Sequence, residues 1–98
     1  MNEHSLNELR DALSKLRIDI AVAIPWSALY RWFSATRLES PHYAEINQQW
    51  TQTWHQAGEK YLPPTVYLYH GVNKLTLVRE TTLEDPPAID LQILGHPI

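Results

Sequence analysis

The feature that most constrains the fold is a change of hydrophobic periodicity at Leu62-Pro63-Pro64. Before these prolines, apolar residues step by three or four along about 20 residues that begin at Ser40 and Pro41, which is typical of an amphipathic helix. This predicted helix includes Gly58, and its apolar stripe consists of Tyr43, Ile46, Trp50, Trp54, Ala57 and Tyr61. After the prolines, apolar and polar residues alternate, which is typical of strands.

A helix is also predicted near the start of the chain, from about Ser5 to Arg17. Ser5 and Glu8 have the spacing of a capping box, in which each side chain bonds the other residue's backbone N–H. The apolar stripe of this helix consists of Leu6, Leu9, Leu13 and Leu16.

A second helix is predicted from Pro25 to about Leu38, because proline suits the first turn of a helix. Its apolar face consists of Trp26, Leu29, Tyr30 and Phe33, and Trp32 flanks that face. The segment Ile18–Ile24 before it is short and rich in β-branched residues, so it fits either a strand or an extended buried connector.

Three strands are predicted after the prolines: Thr65–His70, Lys74–Arg79 and Ala88–Leu94, with a turn at Gly71-Val72-Asn73. Alternation assigns one set of side chains to the core: Val66, Leu68, Leu75, Leu77, Ile89, Leu91 and Ile93. The other set points to the opposite face of the sheet: Tyr67, Tyr69, Lys74, Thr76, Val78, Asp90 and Gln92.

These elements predict one α+β domain over residues 1–98. Three N-terminal helices would pack on a small C-terminal antiparallel sheet of about three strands, to which residues 18–24 would add a short strand if they are extended. A chain of 98 residues is the size of one domain and long enough to bury a sizeable core.

Composition excludes several classes of protein. The chain has no cysteine, so disulfides, thiolate zinc sites and cysteine nucleophiles are absent. Its first residues lack the basic and apolar regions of a signal peptide, and no apolar run approaches the roughly 18 residues of a membrane helix. A cytoplasmic protein without a membrane partner is expected.

No catalytic, metal-binding or cofactor-binding pattern is visible. The five histidines are scattered along the chain without the spacing of metal ligands, and the three glycines form no phosphate-binding loop. The pairs His55 with Glu59 and His42 with Glu45 have helical spacing, and such pairs are usually surface ion pairs. We expect no enzymatic activity and no cofactor.

The order helix, strand, helix, helix, strand, turn, strand resembles that of a winged helix-turn-helix domain. That resemblance implies a recognition helix from Pro41 onward, with Gln48 and Gln52 facing bases, and a wing at Gly71–Lys74. The net charge of −3 and the acidic Glu45 and Glu59 on the helix oppose binding to phosphates. Nucleic-acid binding is therefore the alternative function.

The preferred hypothesis is a small non-catalytic protein-interaction or accessory module. Most aromatic residues lie on the predicted helical stripes, but Trp32 flanks its stripe, and Tyr67 and Tyr69 point away from the predicted core. Tryptophan and tyrosine are enriched at binding hot spots. With Lys74, these three residues form the predicted protein-binding site, and the partner is another protein or a second copy of this chain.

Overall fold

The computed structural model describes residues 1–79 and 89–95, which form four strands and four helices. In chain order the elements are α1 (Glu3–Asp19), β1 (Ala21–Pro25), α2 (Trp26–Phe33), α3 (Ser40–Gln56), β2 (Tyr67–His70), β3 (Lys74–Val78), β4 (Ile89–Asp90) and α4 (Leu91–Leu94). The strands form one antiparallel sheet in the order β1-β3-β2-β4. The α+β class is confirmed, with four strands where about three were predicted.

Helix α1 begins two residues earlier than predicted because Asn2 caps it. The Asn2 side chain accepts a hydrogen bond of 2.8 Å from the backbone N–H of Ser5. The predicted capping box of Ser5 and Glu8 is therefore wrong, and Ser5 is buried in the first turn. The predicted stripe is confirmed at Leu9, Leu13 and Leu16, which are fully buried.

Strand β1 connects the helical half of the chain to the sheet. Ile20 ends α1 with a φ of 75°, and the next five residues pair antiparallel with β3, from Ala21 opposite Val78 to Pro25 opposite Lys74. The segment that admitted a strand or a connector is thus a strand from residue 21 onward, while Ile18 belongs to α1. Within the described residues, β1 is an edge of the sheet.

Both following helices are shorter than the patterns predicted. Helix α2 ends at Phe33 because Ser34 adopts a left-handed conformation with a φ of 51°. Helix α3 begins at Ser40, where the His42 ring accepts a hydrogen bond of 2.9 Å from the backbone N–H of Glu39. It ends at Gln56, so Gly58 lies beyond the helix, with a φ of 83°.

The chain after α3 folds back along the helix. The indole N–H of Trp54 donates to the carbonyl oxygen of Tyr61 at 2.9 Å, and that of Trp50 donates to the carbonyl oxygen of Pro64 at 3.0 Å. The prediction that Tyr61 belongs to the apolar stripe is wrong, since its side chain is 81% exposed.

The third predicted strand is only two residues long. Ile89 and Asp90 pair with β2, and the Asp90 side chain then accepts a hydrogen bond from the backbone N–H of Gln92 and starts α4. Because the chain turns into a helix, Leu91 is buried as predicted, whereas Ile93 is 68% exposed and Ile89 lies partly exposed at the edge. Ala88, the first residue of the predicted strand, lies outside the described residues.

The core lies between the helices and one face of the sheet. The fully buried strand residues Leu68, Leu75 and Leu77 belong to the same apolar cluster as the buried residues of the helices. The helical members of the cluster are Leu9, Leu13, Leu16, Leu29, Trp32, Tyr43, Ile46, Trp50 and Leu91. None of the helices in the part of the chain that the structure describes has the length and hydrophobicity of a membrane-spanning segment.

The conformation of Gly58 gives a test of how α3 ends. A Cβ atom at this position would meet nothing within 4 Å, so a substitution acts through the backbone and not through a steric clash. We expect Gly58→Ala to lower the free energy of unfolding by about 1 kcal/mol, because a positive φ is strained for an L-residue. Denaturant titration measures the change.

Gly58→Asn is the matched control, because asparagine tolerates left-handed backbone better than alanine does. It should cost less stability than the alanine variant. An alanine variant as stable as the wild type would contradict this account of the end of α3.

Candidate protein-binding surface

The outer face of the sheet is the face opposite the core. The pairing places Tyr67 beside Val78 and Val78 beside Ala21 in one row, and Tyr69 beside Thr76 and Thr76 beside Ala23 in the next. Side chains on one face of a strand repeat every second residue, so these two rows point the same way. The described helices contribute to the core on the opposite side.

None of the residues in these two rows is buried. Tyr67, Tyr69, Thr76 and Val78 are half-buried, and the two alanines are exposed. Within the described residues, neither tyrosine hydroxyl makes a hydrogen bond. The outer face therefore combines small and apolar groups with Asp90, which pairs with Tyr67, and with two amphipathic rings whose hydroxyls make no hydrogen bond within the described residues.

Lys74 lies at the end of β3 and is exposed. It is placed opposite Pro25, on the outer side of the sheet and in line with Thr76 and Val78. The structure thus brings Tyr67, Tyr69 and Lys74 together on one face, as the alternation predicted.

Trp32 does not belong to this face. Its side chain is only 5% exposed, so the expectation of a partly exposed ring is wrong. Its indole N–H donates to the Glu8 carboxylate at 2.7 Å, which lets the ring enter the core without leaving a polar group unpaired. The sequence pattern missed this contact because it assigned Glu8 to a capping box.

Glu8 links α1 to α2 through several partners. Its carboxylate also accepts a hydrogen bond of 2.9 Å from Arg31 and lies 2.7 Å from the His4 ring nitrogen. These interactions hold the pKa of Glu8 below its ordinary value, the hydrogen bond from Trp32 being the largest cause. Glu8 therefore acts as a structural anion between the two helices.

A groove lies beside β1, between α1 and α2, and the sequence pattern did not reveal it. It has a volume of about 260 Å³. Its residues are Glu8, Asp11, Ala12, Lys15, Val22, Ala23, Ile24, Pro25, Ala28 and Trp32. The helical members recur at intervals of three or four residues, so each helix presents one face to the groove.

Aromatic rings from three elements meet at the end of the sheet near the β2–β3 turn. The Trp26 ring stacks on His70 with centroids 5.6 Å apart, and the Tyr43 hydroxyl lies 3.2 Å from the Nε2 atom of His70. Burial raises the pKa of Tyr43, with a further contribution from Tyr30. Sequence spacing gave no signal for this cluster, because its members come from α2, α3 and β2.

The two helical His–Glu pairs do not form. Glu59 lies 3.8 Å from Arg17 instead, and Glu45 accepts a hydrogen bond of 3.2 Å from Gln49. Over residues 1–79 and 89–95, no three His, Asp or Glu side chains come close enough together to hold a metal ion.

The arginines are occupied within the chain. Arg10 donates to Gln49, and Arg79 donates to the carbonyl oxygen of Leu16. Arg17, Arg31 and Arg37 each lie within 4.0 Å of a glutamate. Each arginine thus already has an internal partner, and for Arg17, Arg31 and Arg37 that partner is a carboxylate, which would repel a phosphate.

Comparisons with protein-family models, with curated proteins and with solved structures found no match.

The Glu8 interactions predict a specific dependence of stability on pH. A carboxylate whose pKa is lowered by folding stabilises the native state above its unfolded pKa, and this contribution is lost as the pH falls through the folded pKa. We expect Glu8→Gln to lower the free energy of unfolding at about pH 7, and the difference from the wild type to shrink towards about pH 3. Denaturant titration at several pH values measures it.

Glu3→Gln is the control, because Glu3 lies in the first turn of the same helix and has no ion pair within the described residues. Its effect at neutral pH should be smaller than that of Glu8→Gln. A Glu8→Gln variant that differs from the wild type equally at both pH values would contradict the assigned role of the carboxylate.

Proposed function

We propose that this chain is a small non-catalytic interaction or accessory module that binds another protein through the outer face of its sheet. The observation that supports this most directly is the pair Tyr67 and Tyr69, which lie side by side with free hydroxyls on a face that the described helices leave open. Tyrosine is a common hot-spot residue because it buries a large rigid ring and keeps one polar group for the partner.

The composition of the face indicates the kind of partner it fits. On the β1 side of the face the side chains are the small ones of Ala21 and Ala23, whereas β2 carries the large rings of the two tyrosines. A partner with a flat apolar surface and hydrogen-bond acceptors for the hydroxyls would complement it. Lys74 at the rim favours an acidic group at the edge of the contact, where charges affect the association rate more than the affinity.

The alternative proposal is a nucleic-acid-binding domain. It is supported by the order of the elements, which follows that of a winged helix, with the β2–β3 turn and Lys74 in the place of the wing. The internal partners of the arginines and the net charge of −3 oppose it. Binding of this kind would be steeply salt-dependent and would weaken when Arg31 and Lys74 are changed.

The first prediction from the proposal concerns the two tyrosines. The double variant Tyr67→Ser and Tyr69→Ser should weaken association with the partner about tenfold or more, because the contact loses two hot-spot rings. The tagged wild type and the variant are compared by affinity capture from native lysate, with nuclease and across a salt series. Circular dichroism checks that the variant folds.

Tyr61→Ser is the matched control, since this tyrosine is 81% exposed and lies outside the strands, in the segment between α3 and β2. It should capture the partner as well as the wild type does. Equal capture by the double variant would contradict the outer face as the binding site. Recovery of nucleic acid that is released by salt would favour the alternative.

A further inference from the structure

Within residues 1–79 and 89–95, the edge of β1 that points away from β3 has no backbone hydrogen-bond partner. The Arg79 N–H donates to the Ile20 carbonyl, and the Trp26 N–H donates to the Asn73 carbonyl, so the even-numbered residues from 20 to 26 face β3. In an antiparallel strand the backbone N–H and C=O groups of successive residues point alternately to the two sides. The backbone groups of Ala21, Ala23 and Pro25 therefore point away from β3. All three residues are exposed.

We propose that this edge pairs with β1 of a second copy of the chain, in a two-fold dimer centred on Ala23. This dimer uses the edge of the sheet and does not depend on the proposed function of the outer face. With Ala23 opposite Ala23, each Ala23 N–H donates to the other Ala23 carbonyl. Each Ala21 N–H then donates to the Pro25 carbonyl of the other copy.

Pro25 is compatible with this pairing. Its missing N–H removes one donor from each end of the ladder, but its carbonyl still accepts, so four backbone hydrogen bonds join the two strands. All five residues of each strand overlap in this register. Antiparallel pairing about a two-fold axis is self-complementary, which is the usual symmetry of a homodimer.

The charges along the groove are also self-complementary. Lys15 lies one turn before the end of α1, near the start of β1, whereas Glu8 bonds to Trp32 of α2, which follows the end of β1. Asp11 lies between them, and within the described residues neither Asp11 nor Lys15 has an ion-pair partner. Because Arg31 pairs with Glu8, the uncompensated charges of the groove are Lys15, towards the start of β1, and Asp11, one turn of α1 further towards its end.

An antiparallel arrangement places the start of one strand beside the end of the other. Lys15 of each copy then lies towards Asp11 of the other, so two pairs of opposite charges face each other across the axis. A parallel arrangement would oppose like charges instead. The charge pattern thus favours a second copy of this chain in the antiparallel orientation.

Apolar groups at the same edge would lose water in the dimer. Ala12, Val22 and Ala28 line the groove, and the side chains of Ile18 and Ile20 beside the start of β1 are 66% and 41% exposed. Burial of such groups between copies provides a hydrophobic contribution beside the hydrogen bonds.

Ala23→Pro tests the strand pairing. A proline is tolerated in an edge strand where its nitrogen faces outward, so the monomer fold should persist while the two central hydrogen bonds are lost. Sedimentation velocity across about 1 to 500 µM protein should show a dimer for the wild type and a monomer for this variant. Ala23→Ser, which keeps the N–H, is the matched control and should remain a dimer.

A charge exchange tests the orientation without changing the strand. Lys15→Glu should weaken the dimer about tenfold, because it places like charges across the axis. The double variant Asp11→Lys with Lys15→Glu restores opposite charges and should recover the wild-type dissociation constant. This test holds even if the proline variant fails to fold.

Three outcomes would overturn the proposal. One is a wild type that stays monomeric over the whole concentration range, in which case the short strand and Pro25 protect the edge from pairing. Another is a dimer that survives both Ala23→Pro and Lys15→Glu. The third is a dimer lost in the Tyr67→Ser, Tyr69→Ser variant, which would place self-association on the outer face; retention there separates this dimer from partner binding.

Discussion

The pairing of β1 with β3 is the constraint on which the rest of the structure depends. It joins a segment between the first two helices to a strand near the other end of the chain, with Ala21 opposite Val78. This pairing sets Val22 and Ile24 beside Leu77 and Leu75, and the helices on either side of β1 then cover the same face. The core, the outer face and the free edge all follow from this one register.

A pairing between segments so far apart in the sequence has an entropic cost during folding. Local contacts can form α1 and α3 early, but β1 gains its partner only when a long loop of chain closes. The tight turn at Ile20 and the immediate start of α2 at Trp26 hold β1 between two helices. In the native structure the hydrogen bond from Trp32 to Glu8 joins the two helices that flank this strand.

The sequence predicted those parts of the fold that depend on periodicity. The spacing of Leu9, Leu13 and Leu16 predicted the buried face of α1, and the alternation around Leu68 and Leu75 predicted β2, β3 and the direction of Tyr67 and Tyr69. These patterns depend only on residues close together in the sequence, and the buried residues of α1, β2 and β3 have the predicted spacing.

The parts that failed depend on single polar contacts, which periodicity does not reveal. Asp90 caps a helix in the middle of an alternating segment, so Ile93 turned outward although the alternation predicted it inward. Trp32 is buried because Glu8, on another helix, accepts its N–H. The groove beside β1 and the aromatic cluster at His70 are each formed by three separate elements. No local sequence pattern could therefore predict them.

The four tryptophans give the molecule a set of internal optical reporters. Each indole N–H is bonded to a different place: Trp26 to the Gly71 carbonyl, Trp32 to Glu8, Trp50 to the Pro64 carbonyl and Trp54 to the Tyr61 carbonyl. Each bond joins two segments that separate on unfolding, when the indole becomes hydrated. Single-tryptophan versions of this chain would therefore resolve, by their fluorescence, the order in which the sheet end, the α1–α2 contact and the segment after α3 come apart.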